Sequence, residues 1–155
     1  MAKEIMGKIE KVVISCSFGK NPKIKDKVER TLSQISGQKS LYTHAKKSIS
    51  NFKLRQGDII GMKVTLRGKK MKDFLTKLIN ISLPRVRDFR GLTLACFDKE
   101  GNYTLGFKEQ IVFPEIETER VEDLHGLQIT ITTSSKTDEE GKKILENYGF
   151  PFKKE

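Results

Sequence analysis

The sequence is short of the residues that usually build metal and redox centres. Its 155 residues include two cysteines and two histidines. Cys16 and Cys96 lie far apart and have no partner motif, so they predict neither a zinc site nor a disulfide framework. We expect both to be buried thiols, and we expect no metal and no cofactor.

Long apolar runs are also missing. The N-terminus, MAKEIMGKIEK, lacks the apolar core of a signal peptide. No apolar run approaches the ~18 residues that a membrane-spanning helix requires. The sequence therefore predicts no membrane partner and a location in the cytoplasm or an equivalent organellar matrix.

Motifs that specify catalysis are absent as well. Gly68-Lys69-Lys70 lacks the upstream glycine spacing of a phosphate-binding loop. DKEGN, at 98–102, is too short to be a calcium loop. His44 and His125 have no nucleophile motif beside them, and the acids at 138–140 fit the start of a helix, where its dipole favours negative charge. These patterns predict a protein that is not an enzyme.

Positive charge is present in excess, and it is concentrated in one segment. The formal net charge of the chain is +10. Between Arg30 and Lys72 there are eleven lysines or arginines and one acid, Asp58, so this segment alone carries +10. An excess confined to one segment is typical of a surface that binds a polyanion. A ribosomal RNA-binding protein and a free-standing RNA-binding regulator or RNA-modifying enzyme both fit this charge.

Strands and helices alternate along the chain without a nucleotide-binding glycine signature. We predict strands at 7–18, 38–43, 58–67, 103–108 and 128–133. Helices are predicted after Asn21, over Met71–Ile79 and after Thr137. The expected fold is an α+β two-layer sandwich, a mostly antiparallel sheet with helices packed on one face. Residues 1–155 are expected to form a single domain.

The strand at 58–67 has one apolar face and one polar face. Gly61, Lys63, Thr65 and Arg67 alternate with the apolar side chains. Two cations, a hydroxyl and a glycine that admits a close approach suit an RNA sugar-phosphate surface. The alternative is an ordinary solvated sheet face.

Two basic segments lie outside the predicted strands. The loop at 43–58, THAKKSISNFKLRQGD, has no regular period. Its Phe52 could stack on a nucleotide or anchor the loop to the domain, and we favour the anchor. Between the second helix and the fourth strand, a connector carries Arg85, Arg87 and Arg90, whose planar guanidiniums suit phosphate. The alternative is a charged loop with an incidental ion pair to Asp88.

The order of these residues resembles one family. IN-SLPRVRDFRG followed by FD-GNY-LG-KEQ-FPEI, and a loop similar to TKAKKSIAGFKLREG, resemble the bacterial-type large-subunit ribosomal protein five. The resemblance implies a structural constituent of the large subunit that binds 5S ribosomal RNA in the central protuberance. It also implies 23S-type ribosomal RNA and other 5S-associated proteins as neighbours.

The resemblance also assigns residues. It implies ribosomal RNA contacts on one sheet face and the adjoining turns and connector, at Ser15, Gln38, Lys39, Lys63, Thr65, Arg67, Arg85, Arg87 and Arg90. It implies that the loop contacts peptidyl-site transfer RNA through Lys46, Lys47, Ser48, Phe52, Lys53 and Arg55. The acidic segment 109–123 is expected to take part in an inter-subunit bridge to small-subunit protein thirteen.

The sequence departs from the family pattern in three places. Ser15 stands where the family usually has asparagine, and Leu94-Ala95-Cys96 replaces a more polar triplet. Family members carry a further helix-bearing segment before the first strand. Only six residues precede Gly7 here, so either the protein is shortened at its N-terminus or the start is misassigned.

Overall fold

The fold is the expected α+β arrangement. The structure is a computed structural model that describes residues 8–19, 21–117 and 124–154. Its strands are β1 (Ile9–Ser17), β2 (Leu41–His44), β3 (Ile59–Leu66), β4 (Tyr103–Phe107) and β5 (Leu127–Thr133). Its α-helices are α1 (Pro22–Ser36), α2 (Gly68–Lys77) and α3 (Asp138–Tyr148).

The five strands form one antiparallel sheet in the order β2-β3-β1-β5-β4. The first strand therefore lies in the middle, between β3 and β5. Side chains alternate between the two sheet faces, and on β1 the members directed to the core, including Val12 and Ile14, are fully buried. Helices α1 and α2 pack against β3 and β1, and α3 contributes Ile144 and Leu145 to the same core.

Local signals at the helix ends act as the sequence predicts. The Asn21 side chain accepts a hydrogen bond from the backbone N–H of Lys23, and Gly37 ends α1 with a φ of 65°. At α3, the Thr137 hydroxyl accepts from the N–H of Glu140. The Glu140 carboxylate accepts from the N–H of Lys136, one residue earlier than in the standard capping box.

The second predicted helix continues to Pro84, but not as an α-helix throughout. A π-helical turn covers Leu78–Ser82, and a 3-10 turn covers Leu83–Arg85. Leu78 and Leu83 remain buried in the core. The apolar stripe therefore predicts which side chains are buried, although it does not reveal the change in hydrogen-bond spacing.

Two sequence predictions are wrong in this part of the molecule. Cys96 is exposed, because it ends a short 3-10 turn at Leu94–Cys96 in which none of the residues is buried. Cys16 is buried as expected, and burial raises the pKa of its thiol to about 11. The second strand begins at Leu41 and not at Gln38; Gln38 contacts β3 only through its side chain, which donates to the Thr65 carbonyl.

Candidate nucleic-acid interface

The sheet face opposite the helices carries a row of side-chain positions from all five strands. Lys63 lies opposite both Leu41 and Ser15, Ser15 lies opposite Gln128, and Gln128 lies opposite Gly106. Residues directly opposite each other share a face. We call this set the central row and the surface that bears it the open face. Most of the row borders a shallow depression of about 540 Å³.

The open face is polar and bears no negative charge in the rows that the register defines. Beside the central row runs a second row of Thr65, Val13, Thr130 and Thr104. Besides the apolar Leu41 and Val13, these two rows contain hydroxyls, an amide and the Lys63 ammonium, and they contain no carboxylate. Such a surface can accept phosphates and ribose hydroxyls without charge repulsion.

The structure brings most of the predicted ribosomal RNA-binding residues to this region. Ser15 and Thr65 are half-buried on the open face, while Lys63 is exposed there and Arg67 is exposed just before α2. Lys39 is exposed in the turn after α1. Gln38 is half-buried, and its Nε2 donates to the Thr65 carbonyl at 3.1 Å. Its side chain thus supplies the hydrogen bond that a longer β2 would have made.

The predicted role of Gly61 is wrong. Gly61 is buried, and a Cβ built on it would lie 2.7 Å from the Cys16 carbonyl oxygen and 2.9 Å from the Thr43 hydroxyl. The fold itself therefore requires glycine at this position, and no approaching RNA is needed to explain it. Gly106 and Gln128 belong to the row instead. The alternation of β4 and β5 is the sequence signal that could have found them.

The arginine connector lies next to the open face. Arg85 and Arg87 border a cleft of about 570 Å³ together with Lys108, Gly106 and two carboxylates, those of Asp88 and Glu109. Gly106 also borders the depression on the open face. Arg90 is exposed farther along the connector. No ion pair joins Asp88 to these arginines within the described ranges, so the incidental ion pair is not formed.

The basic loop at 43–58 is a hydrogen-bonded hairpin and not an irregular segment. Ile49 and Leu54 exchange two backbone hydrogen bonds of 3.0 Å. At its base, the N–H of Ala45 donates to the Asp58 carbonyl at 2.8 Å, and the N–H of Gly57 donates to the Ala45 carbonyl at 2.9 Å. His44 contacts the Gly57 carbonyl through Nδ1 at 3.1 Å. We call residues 45–58 the basic hairpin.

Most side chains of the basic hairpin are exposed. Phe52 is 71% exposed, so the predicted anchoring role is wrong. Ala45 is buried at the base of the hairpin, and the backbone ladder supplies the order that we had assigned to the aromatic ring. The Ser48 hydroxyl accepts a hydrogen bond from the N–H of Gln56. The four cations of the hairpin are exposed: Lys46, Lys47, Lys53 and Arg55.

Part of the acidic segment is tied to the helical layer. The Lys77 ammonium lies 2.7 Å from a carboxylate oxygen of Glu115 and donates to the Ile35 carbonyl at 2.7 Å. Glu117 is exposed, and Glu109 is half-buried. The remaining acids, Glu119, Glu122 and Asp123, lie outside the described residues. At least one carboxylate of the segment therefore has an internal partner.

The structure also bears on metals and membranes. Within residues 8–19, 21–117 and 124–154, no three His, Cys, Asp or Glu side chains converge as metal ligands would. No helix in those ranges is both long and apolar enough to cross a bilayer.

The fold and its charged face define a class: an α+β nucleic-acid-binding protein whose surface is suited to holding a polyanion. Two family models place the chain within that class. The model described as "Ribosomal protein L5" matches residues 6–55, and the model for the C-terminus of the same ribosomal protein family matches residues 59–152.

Individual relatives agree with the family models. The large ribosomal subunit protein uL5 of Natranaerobius thermophilus is 54% identical over 148 residues, which cover 94% of this chain and 83% of that protein. The protein of the same name from Lactobacillus johnsonii is 55% identical over 150 residues, covering 95% and 83%. The one from Desulfotalea psychrophila is 53% identical over 150 residues, covering 95% and 84%.

The chain belongs to the ribosomal protein L5 family. It is a structural, non-enzymatic constituent of the large ribosomal subunit that binds ribosomal RNA in the cytoplasm.

Proposed function

We propose that the open face binds 5S ribosomal RNA and thereby holds the protein in the central protuberance of the large subunit, next to 23S-type ribosomal RNA and other 5S-associated proteins. The observation that carries this proposal is the central row, in which Lys63, Ser15 and Gln128 lie side by side on three neighbouring strands. Lys39 and Arg67 add charge at the edge of this surface. The arginine connector extends it beyond β4.

Salt dependence tests this assignment. Each cation that neutralises a phosphate steepens the fall of log affinity with log salt by about one unit. The double variant K63Q/R67Q should therefore flatten the slope for 5S ribosomal RNA by about two units. Both side chains are exposed, so the variant should keep its melting temperature. An unchanged slope in the folded variant would show that this face is wrongly assigned.

A second contact is favoured by the basic hairpin. We propose that it reaches peptidyl-site transfer RNA, through Lys46, Lys47, Ser48, Phe52, Lys53 and Arg55. The hairpin carries four exposed cations and an exposed aromatic ring on an ordered backbone. Charge shared among phosphates without base contacts suits a partner that changes during translation.

Neutralising the four hairpin cations separates this proposal from a permanent ribosomal RNA clamp. The variant should bind 5S ribosomal RNA nearly as well as the wild type, and its ribosomes should release peptidyl-site transfer RNA faster. Failed subunit assembly combined with normal transfer RNA retention in the surviving ribosomes would identify the hairpin as a ribosomal RNA clamp.

The third proposed contact is with a protein. The acidic segment 109–123 would be repelled by phosphate and attracted by a basic neighbour, and we propose that it faces small-subunit protein thirteen in an inter-subunit bridge. The tie between Lys77 and Glu115 fixes one part of the segment against the helices, which leaves exposed Glu117 available to a partner. Cross-linking from position 117 in intact ribosomes should capture that protein, and capture of ribosomal RNA alone would count against the bridge.

A further inference from the structure

Gly106 is the one member of the central row without a side chain, and the packing of the fold does not account for it. A Cβ built on Gly106 would have no heavy atom within 4 Å. By contrast, a Cβ on Gly61 would lie 2.7 Å from a backbone oxygen, and one on Gly126 would lie 3.0 Å from the Phe107 carbonyl oxygen. Packing therefore requires glycine at position 61 and crowds position 126, but it leaves position 106 open.

Backbone geometry does not account for Gly106 either. It lies within β4, and it is not among the glycines with positive φ. A glycine inside a strand weakens it, and where neither a bulge nor tight packing explains the residue, close approach by a ligand is the remaining common reason. The lack of a side chain at position 106 is thus best explained by a ligand that approaches the backbone closely there.

The position of Gly106 shows where such a ligand would run. Gly106 and Phe107 border both the depression on the open face and the cleft beside the arginine connector. Lys63 borders the depression, whereas Arg85, Arg87 and Lys108 border the cleft. Three cations against the carboxylates of Asp88 and Glu109 leave the cleft with an excess of positive charge.

We propose that the depression and the cleft form one continuous channel for a single ribose-phosphate backbone, and that the strand passes from one to the other over Gly106. The channel starts at Lys63 and ends between Arg85 and Arg87. A side chain at position 106 would occupy the crossing point. This inference rests on the proposed binding of ribosomal RNA to the open face, and it adds both a path and a residue that controls it.

The substitution G106V tests the channel, because the fold can accept it. The site has open space and an ordinary strand φ, and a β-branched residue is favoured in a strand. G106V should therefore melt no lower than the wild type. Its affinity for 5S ribosomal RNA should fall roughly tenfold or more, since bulk at a close contact forces the partner away. G106A should lose less.

T76V is the control. Thr76 is exposed on α2, in the helical layer on the other side of the sheet from the open face, and its replacement changes little volume. It should leave the affinity unchanged. In hydroxyl-radical footprints, G106V and R87Q should weaken protection of the same contiguous run of nucleotides, and K63Q should weaken protection of the nucleotides next to that run.

The outcomes distinguish the channel from the function on which it rests. If the folded G106V variant binds like the wild type while K63Q/R67Q flattens the salt slope, the open face binds RNA and the crossing at Gly106 is refuted. If the wild type itself does not bind 5S ribosomal RNA, both proposals fail. If G106V proves unstable, two other results together would refute the channel. These are an undiminished affinity in G106A, and loss of protection at nucleotides that are not adjacent in the R87Q and K63Q footprints.

Discussion

Replacing Phe52 with alanine distinguishes an aromatic ring that stacks on RNA from one that supports the fold. Phe52 is 71% exposed, so less than a third of its surface is shielded from water. Full burial of a phenylalanine contributes about 1.5–3 kcal/mol. By proportion, F52A should lower the free energy of unfolding by less than about 1 kcal/mol.

The expected effect on RNA binding is larger. Stacking of a base on an aromatic ring is worth about 1–3 kcal/mol, which corresponds to a loss of about 5- to 150-fold in affinity. The assay is retention of transfer RNA in the peptidyl site of ribosomes reconstituted with each variant. F52Y, which keeps the ring, should restore retention, and F52L, which keeps only apolar bulk, should not.

One result would refute this reasoning. If F52A lowers the free energy of unfolding by more than about 2 kcal/mol and leaves transfer RNA retention unchanged, the ring supports the domain after all. The hydrogen bonds between Ile49 and Leu54 would then be insufficient to order the basic hairpin.

Three further predictions concern stability and reactivity. L32A should lower the free energy of unfolding by about 2–5 kcal/mol in urea titrations, because Leu32 is fully buried, whereas L41A should change it by less than about 0.5 kcal/mol, because Leu41 is 65% exposed. A maleimide should label the native protein once, at exposed Cys96, and should reach Cys16 only after denaturation, because Cys16 is buried and its thiol pKa is raised to about 11. Burial lowers the pKa of His125 below its usual 6.5, so its contribution to stability is complete above that pH and is lost as the pH falls through the folded-state pKa. H125Q should therefore flatten the decline in melting temperature as the pH falls below 6.5.

Sequence reasoning succeeded where the signal is local. The caps at Asn21 and Gly37 each depend on residues within one turn, and both are formed as predicted. The polar alternation of β3 likewise correctly placed Lys63 and Thr65 on the face away from the core. In a strand, the two-residue period of the sequence directly specifies which face each side chain occupies, so no knowledge of distant residues is needed.

It failed where the outcome depends on distant parts of the chain. Cys96 was expected to be buried because cysteine usually is, but nothing in a three-residue turn predicts what will cover it. Phe52 could not be placed without the ladder between Ala45 and Asp58. Gly61 was assigned to RNA although its reason lies in Thr43 on β2 and Cys16 on β1. Strand neighbours of this kind follow from sheet order, which alternation alone does not specify.

The assignments of individual RNA-binding residues remain predictions, and so does the single domain. The sheet topology is relevant to both the RNA-binding residues and the single domain. The two family matches, 6–55 and 59–152, divide the chain within the basic hairpin. The central row nevertheless takes Leu41 and Ser15 from the first part and Lys63, Gln128 and Gly106 from the second.

Members of the two parts interleave, because β1 is inserted between β3 and β5. Neither part can form the open face without the other, so the proposed RNA-binding surface exists only when the complete sheet has formed. Such long-range pairings form late in folding, because the chain must first lose the conformational entropy of closing the long loops between them. If the open face binds RNA as proposed, binding and stability are coupled along β1, and they can be tested separately at exposed positions such as Lys63 and Gly106, which face away from the core.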